Sequence, residues 1–232
     1  MRARLLIVSS LLAVSWLVGC SAPPPGAATF RLPTLPVVGL SSATDVEFIG
    51  IDERTSALLA TGIYRAATER FVPTFLTAAA VPTLALTPFT LDDDACTATI
   101  TPTGLRTVAF RFFFRDGGAG ALLLTNVADL DDVAAGDRVY EFWLAPTAGS
   151  VFATCFSERD PAFTLIYELE LAAGWNVVAN VVTAVTGDGT PTALRYRTEA
   201  PIAGTAWRYI ELTTTSDTIA WPHRSQRARP DR

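Results

Sequence analysis

The sequence predicts an all-β protein: an antiparallel β-sandwich of about ten strands with little helix, or in the alternative a closed β-barrel. Three observations lead there. Val, Thr, Phe, Leu and Ala dominate a chain that is 50% hydrophobic, a composition that suits strands more than helices. Apolar and polar residues alternate with period two over most of the second half. The alternating runs are separated by short segments rich in Gly or Pro, and short connections favour antiparallel neighbours.

The elements follow in order. Asp45 to Ile51 alternates and reads as the first strand. Ser56 to Tyr64 is read as its partner, although Asp52 could instead cap a short helix over Ser56 to Leu59. Prolines 73, 82 and 88 interrupt Phe71 to Thr90, which therefore reads as edge strands and crossing loops. Leu105 to Arg115 places Val108, Phe110, Phe112 and Phe114 on one face, and a glycine-rich turn leads into Ala121 to Thr125. Arg138 to Ala145 and Val151 to Ser157 are expected to pair across residues 146–150. Ala162 to Leu171 turns at Ala172-Ala173-Gly174 into Trp175 to Val185. Gly187-Asp188-Gly189 leads into Thr192 to Thr198, and Thr205 to Thr215 closes the series. The prolines and an expected inter-strand bridge favour the sandwich over the barrel. A single β domain is expected over 37–222, with a candidate sub-boundary near 72–95.

The N-terminus carries a different signal. Arg2 and Arg4 precede an apolar run from Leu5 to Val18. That run is short of the roughly 20 residues a spanning helix needs and suits the core of a secretion signal. It ends in Leu17-Val18-Gly19-Cys20. This tetrapeptide resembles the lipobox of bacterial lipoproteins. The resemblance covers about twenty residues and implies removal of 1–19, a diacylglyceryl thioether on Cys20 and an acylated new N-terminus. Several acyl chains on one residue, palmitate among them, make a stable anchor where a single chain holds marginally. Residues 20–36, with Pro23-Pro24-Pro25-Gly26, Pro33 and Pro36, read as a semi-rigid leash. Ser21 stands where an Asp would favour inner-membrane retention. The implied address is the extracytoplasmic envelope, at the outer membrane if the organism has one.

Charge and cysteine count narrow the options. Without Arg2 and Arg4 the chain has 16 Arg against 23 acidic residues, a net charge of about −7. Nucleic acid is not an expected partner, because binding it rests on neutralising phosphates. With Cys20 assigned to lipid, Cys96 and Cys155 remain, and an exported pair is expected to bridge. The acids at 92–94 would suppress a thiolate at Cys96, which argues against a reactive thiol.

No catalytic residues are assigned. The single His is His223, in a polar tail (223–232) with four arginines that reads as a frayed end. A Ser-His-Asp arrangement needs a positioned His. No cofactor is expected, and zinc lacks ligands. Asp129, Asp131, Asp132 and Asp137 form a calcium candidate, but their spacing matches no EF-hand loop and they read more readily as a solvated connection. Trp207, Tyr209 and Glu211 share a face and form a candidate binding platform, set against ordinary core packing. The expected function is a non-enzymatic binding or assembly domain tethered at the envelope, with an envelope protein or glycan as partner. The alternatives are a lipocalin-like carrier, with Phe110, Phe112, Phe114, Phe163 and Tyr167 lining an apolar cavity, and a hydrolase using carboxylates alone.

Overall fold

The computed structural model describes residues 30, 32–52, 54–91, 95–115, 120–129, 132–157 and 162–211. The signal segment, Cys20, most of the leash, Asp131 and the 223–232 tail lie outside them, as do 92–94 and 212–215. The described residues form fourteen strands: β1 (Leu35–Val38), β2 (Val46–Ile51), β3 (Leu58–Arg65), β4 (Arg70–Phe75), β5 (Thr87–Pro88), β6 (Cys96–Thr101), β7 (Arg106–Phe114), β8 (Gly120–Thr125), β9 (Arg138–Ala145), β10 (Gly149–Ser157), β11 (Phe163–Leu171), β12 (Gly174–Val185), β13 (Pro191–Thr198) and β14 (Ala206–Glu211). Two 3₁₀ turns, Ala78–Ala80 and Thr83–Ala85, lie between β4 and β5. Among the described residues no helix is long and apolar enough to cross a membrane.

The all-β expectation holds, and the architecture is the barrel rather than the sandwich. Eight strands close a ring in the order β9-β7-β2-β3-β4-β1-β14-β8. The ring closes where the first and last strands meet: β1 pairs with β4 at Leu35 and Pro36, then with β14 at Val37 and Val38. β7 and β8 also pair directly at Phe112–Leu122 and Phe113–Ala121. Thus β7, β8 and β9 meet at a three-way junction. From β9 a second sheet runs outward as β9-β12-β13-β11-β10-β6.

The junction explains two separate cores. The first fills the barrel with Phe48, Tyr64, Phe71, Phe110, Phe112, Phe142, Trp207 and their neighbours. The second lies under the outer sheet around Val151, Cys155, Leu169, Val178, Leu194 and Tyr196. β9 and β12 form the wall between them. Tyr140, Phe142 and Leu144 face the barrel, while Val139, Trp143 and Ala145 face the second core. β12 likewise sends Trp175, Val177, Ala179 and Val181 one way, and Val178 and Val182 the other.

Barrel closure around large rings needs small residues beneath them. A Cβ on Gly62 would sit 2.1 Å from the Phe71 ring, and one on Gly50 would sit 2.4 Å from Phe110. Each glycine gives a ring the space it occupies.

Several local expectations are corrected. β9 and β10 do not form a hairpin: both edges of β9 are taken, by β12 on one side and by β7 and β8 on the other. β10 pairs with β11 and β6 instead. β11 and β12 are adjacent in sequence yet separated by β13, which runs parallel to β11. The β1–β14 pairing is parallel too, so the sheet is mixed. Leu35 and Pro36, expected to belong to the leash, lie instead in a strand, and Phe30, Leu32 and Leu35 pack on the barrel core. The Ser56 to Tyr64 segment is the strand expected, and Asp52 caps the turn before it. Its buried carboxylate accepts from the Thr55 amide (3.1 Å) and hydroxyl (2.6 Å). Pro73 lies within β4, paired only with Gly62, at a point where β1 no longer flanks the other edge.

Candidate functional site

The positions singled out from sequence land as follows. Cys96 and Cys155 are bridged, with Cα atoms 4.1 Å apart and directly opposed on β6 and β10. Trp207, Tyr209 and Glu211 do share a face of β14, but that face looks into the barrel. Trp207 is 1% exposed and packs on Phe71 (4.8 Å), Phe112 (5.6 Å) and Phe142 (5.8 Å). Tyr209 packs edge-on against Phe114 (5.4 Å), and burial, with Glu211 nearby, pushes its phenol pKa up. Glu211 is exposed at the strand end. The platform is therefore an extension of the barrel core, since alternation on a strand cannot say which face is inside. Asp129 and Asp132 belong to one turn, where the Asp132 amide donates to the Asp129 carbonyl. Asp137 accepts from the Ala134 amide at 2.7 Å. No group of three His, Cys, Asp or Glu able to hold a metal occurs among the described residues. The five residues considered for a carrier cavity divide between the two cores. Phe110, Phe112 and Phe114 belong with the barrel, while Phe163 and Tyr167 pack in the second core.

Two buried carboxylates stand in the described structure, Asp52 and Glu141. Asp52 is spent on its turn. Glu141 accepts from the Trp143 indole N–H at 2.9 Å and lies 3.8 Å from the Arg111 guanidinium. Both have structural work, and such satisfied buried charges specify packing more than they do chemistry.

The surface that stands out is the far end of the second sheet. Thr97, Thr99 and Thr101 of β6 point outward, as do Ser150, Phe152, Thr154 and Phe156 of β10. None carries charge, in a chain with five more acidic than basic residues. Phe152 and Phe156 are 46% and 47% exposed. The charged rows begin one strand further on, where Arg195 of β13 faces Glu168 of β11 at 3.7 Å.

β6 also ends the sheet, and no described residue pairs with its other edge. Natural edges are usually blunted by charge, proline, a bulge or brevity. The opposite end of the strand order is blunted in this way: β5 has two residues, one of them Pro88. β6 has six residues, no charge, no proline and an uninterrupted register with β10. The disulfide ties its Cys96 end to β10, and among the described residues its other edge is open. Sequence reasoning found the bridge but missed this strand. The signal was there in Thr97-Ala98-Thr99-Ile100-Thr101, an uncharged alternation beside a cysteine. No protein-family model, curated protein or solved structure matches this chain.

Proposed function

We propose that this protein is a lipid-anchored envelope protein whose β domain serves binding or assembly, with the β6 edge and the adjoining β10 face as its recognition surface. The observation that carries the proposal is the open, uncharged, disulfide-stapled edge of β6 beside half-exposed Phe152 and Phe156. Such an edge offers unpaired backbone donors and acceptors to an added strand, with neighbouring side chains to select it. The aromatic filling of the barrel supports this reading over a ligand carrier: Phe110, Phe112 and Phe142 are each no more than 3% exposed. The lipobox-like Leu17-Val18-Gly19-Cys20 supplies the anchor.

The test uses the full-length protein in cells that export it. A photo-crosslinking residue at Thr99 or Phe152 gives covalent adducts, and one at outward-facing Val72 on the barrel does not. Adducts from Val72 alone, or none from β6 and β10, overturn the surface assignment. Cys20→Ala abolishes lipid labelling and releases the protein from membranes. Continued membrane retention removes the anchor from the proposal.

A further inference from the structure

The free edge of β6 has a definite hydrogen-bonding phase. The Phe156 amide donates to the Ala95 carbonyl at 3.2 Å, so the 95/156 pair is hydrogen-bonded. In an antiparallel ladder the bonded and non-bonded pairs alternate. Cys96 and Cys155 are therefore a non-bonded pair, in keeping with their 4.1 Å Cα separation. The alternation continues through Ala98–Ala153 and Ile100–Val151. The N–H and C=O groups of Cys96, Ala98 and Ile100 thus point away from β10, towards the open side. Those of Thr97, Thr99 and Thr101 point at β10.

This reading rests on the recognition surface proposed above and names its occupant: we infer that β6 pairs with β6 of a second copy, antiparallel about a two-fold axis at Ala98. A continuous sheet requires facing residues to point to the same side, which allows an axis through a residue and forbids one between residues. An axis at Ala98 makes Ala98 and its copy one bonded pair, with Cys96 opposite Ile100 of the copy on either side. All six edge groups of each copy then find partners. An axis at Thr99 instead sets Cys96 against Pro102, which has no N–H to give. The Ala98 register also sets Thr97 opposite Thr99 on the outer face, a favourable cross-strand pair. Alanine meets alanine beneath.

Charge does not oppose self-pairing at this seam. Two copies of an acidic protein repel in general, yet the seam from Cys96 to Thr101 carries no charge. In the antiparallel arrangement, the Cys96 ends of the two β6 strands lie at opposite ends of the seam. A contact built on one edge strand is small beside the roughly 1,000 Å² of a durable interface. The association is correspondingly concentration-dependent, and two copies tethered in one leaflet meet at raised local concentration.

The test is native mass spectrometry of the full-length lipidated chain released from detergent over a concentration series. The wild type shows a dimer that grows with concentration. Thr97→Lys with Thr99→Lys places like charges opposite each other twice, and association weakens about tenfold. Thr97→Glu with Thr99→Lys places opposite charges in the same pairs and restores the dimer. Ala98→Pro removes an N–H that points away from β10, so it leaves thermal unfolding of the monomer nearly unchanged and abolishes the dimer. A wild type that stays monomeric at every concentration overturns the inference, as does a double-lysine variant that still dimerises or a Glu/Lys variant that does not recover. If the protein stays monomeric while Thr99 photo-adducts carry an unlike protein, self-pairing falls and the recognition surface stands. Absence of both dimers and adducts removes both.

Discussion

Replacing Cys96 and Cys155 together with alanine tests what the staple contributes. The bridge spans a sequence separation of 59 residues. In the chain-entropy model, opening a loop of that size restores freedom to the unfolded chain worth about 4 kcal/mol. The native register should survive, since β6 and β10 keep six residue pairs, Ser150–Thr101 through Cys155–Cys96. The effect therefore lies mainly in the unfolded state, and the whole domain loses stability rather than β6 alone. Urea titration reads this as a lower midpoint with a steeper slope, because the opened unfolded chain exposes more surface. Hydrogen exchange gives a second reading at the amides of Thr97, Thr99 and Thr101, which point at β10. These should exchange faster in the variant, because four of the six β6 residues are exposed and little else pins the strand. A loss below about 1 kcal/mol with unchanged exchange would refute the reasoning. It would mean that the unfolded chain already holds these segments together.

Trp207→Ala should cost about 3–5 kcal/mol in a denaturant titration, as expected for a large buried ring, while Glu211→Ala should stay within about 0.5 kcal/mol. Equal effects would contradict the inward-facing placement of Trp207. Asp45 is held below its ordinary carboxyl value of 3.8 by the Arg65 guanidinium and then by the Ala66 amide. A lowered folded value means that its contribution is present above about pH 3.8 and is lost as the pH falls through the folded value. Asp45→Asn should therefore flatten that part of the acid limb in a series of thermal unfolding curves, and limbs that remain parallel would remove Asp45 from the account.

Much of the fold was legible where local pattern decides it. The strands at 105–115, 121–125, 138–145, 162–171 and 175–185 match β7, β8, β9, β11 and β12 to within a residue or so. Alternation at Phe163, Leu165, Tyr167, Leu169 and Leu171 needs no tertiary knowledge. The pairings were less legible. A short link suggests a hairpin, yet residues 172–173 connect two strands that β13 keeps apart. The barrel closes through Val37–Trp207 and Val38–Arg208, contacts between the first and last strands that no local pattern announces. Of the candidate site, the bridge was legible from cysteine count alone. Phe152 and Phe156 were read only as part of a strand, because their exposure depends on which residues β6 leaves uncovered.

The two kinds of strand in the outer sheet answer opposite constraints. β9 and β12 separate two cores, so both faces must be apolar or internally satisfied. Hence Trp143 pairs its indole with Glu141, and the Asn180 amide donates to the Tyr196 hydroxyl at 3.1 Å. These strands have no face left for a partner. At the other end, β10 covers the second core with Val151, Ala153 and Cys155 while turning Phe152, Thr154 and Phe156 to the outside. Solubility alone would favour charge there, as in the Glu168 and Arg195 row on the next strands. Threonine and phenylalanine stand there instead, beside an edge of six residues that nothing blunts. An edge of that kind is a liability in a free monomer. Pairing it with its own copy removes the liability and makes the staple useful, because the disulfide presents Cys96, Ala98 and Ile100 in one fixed register.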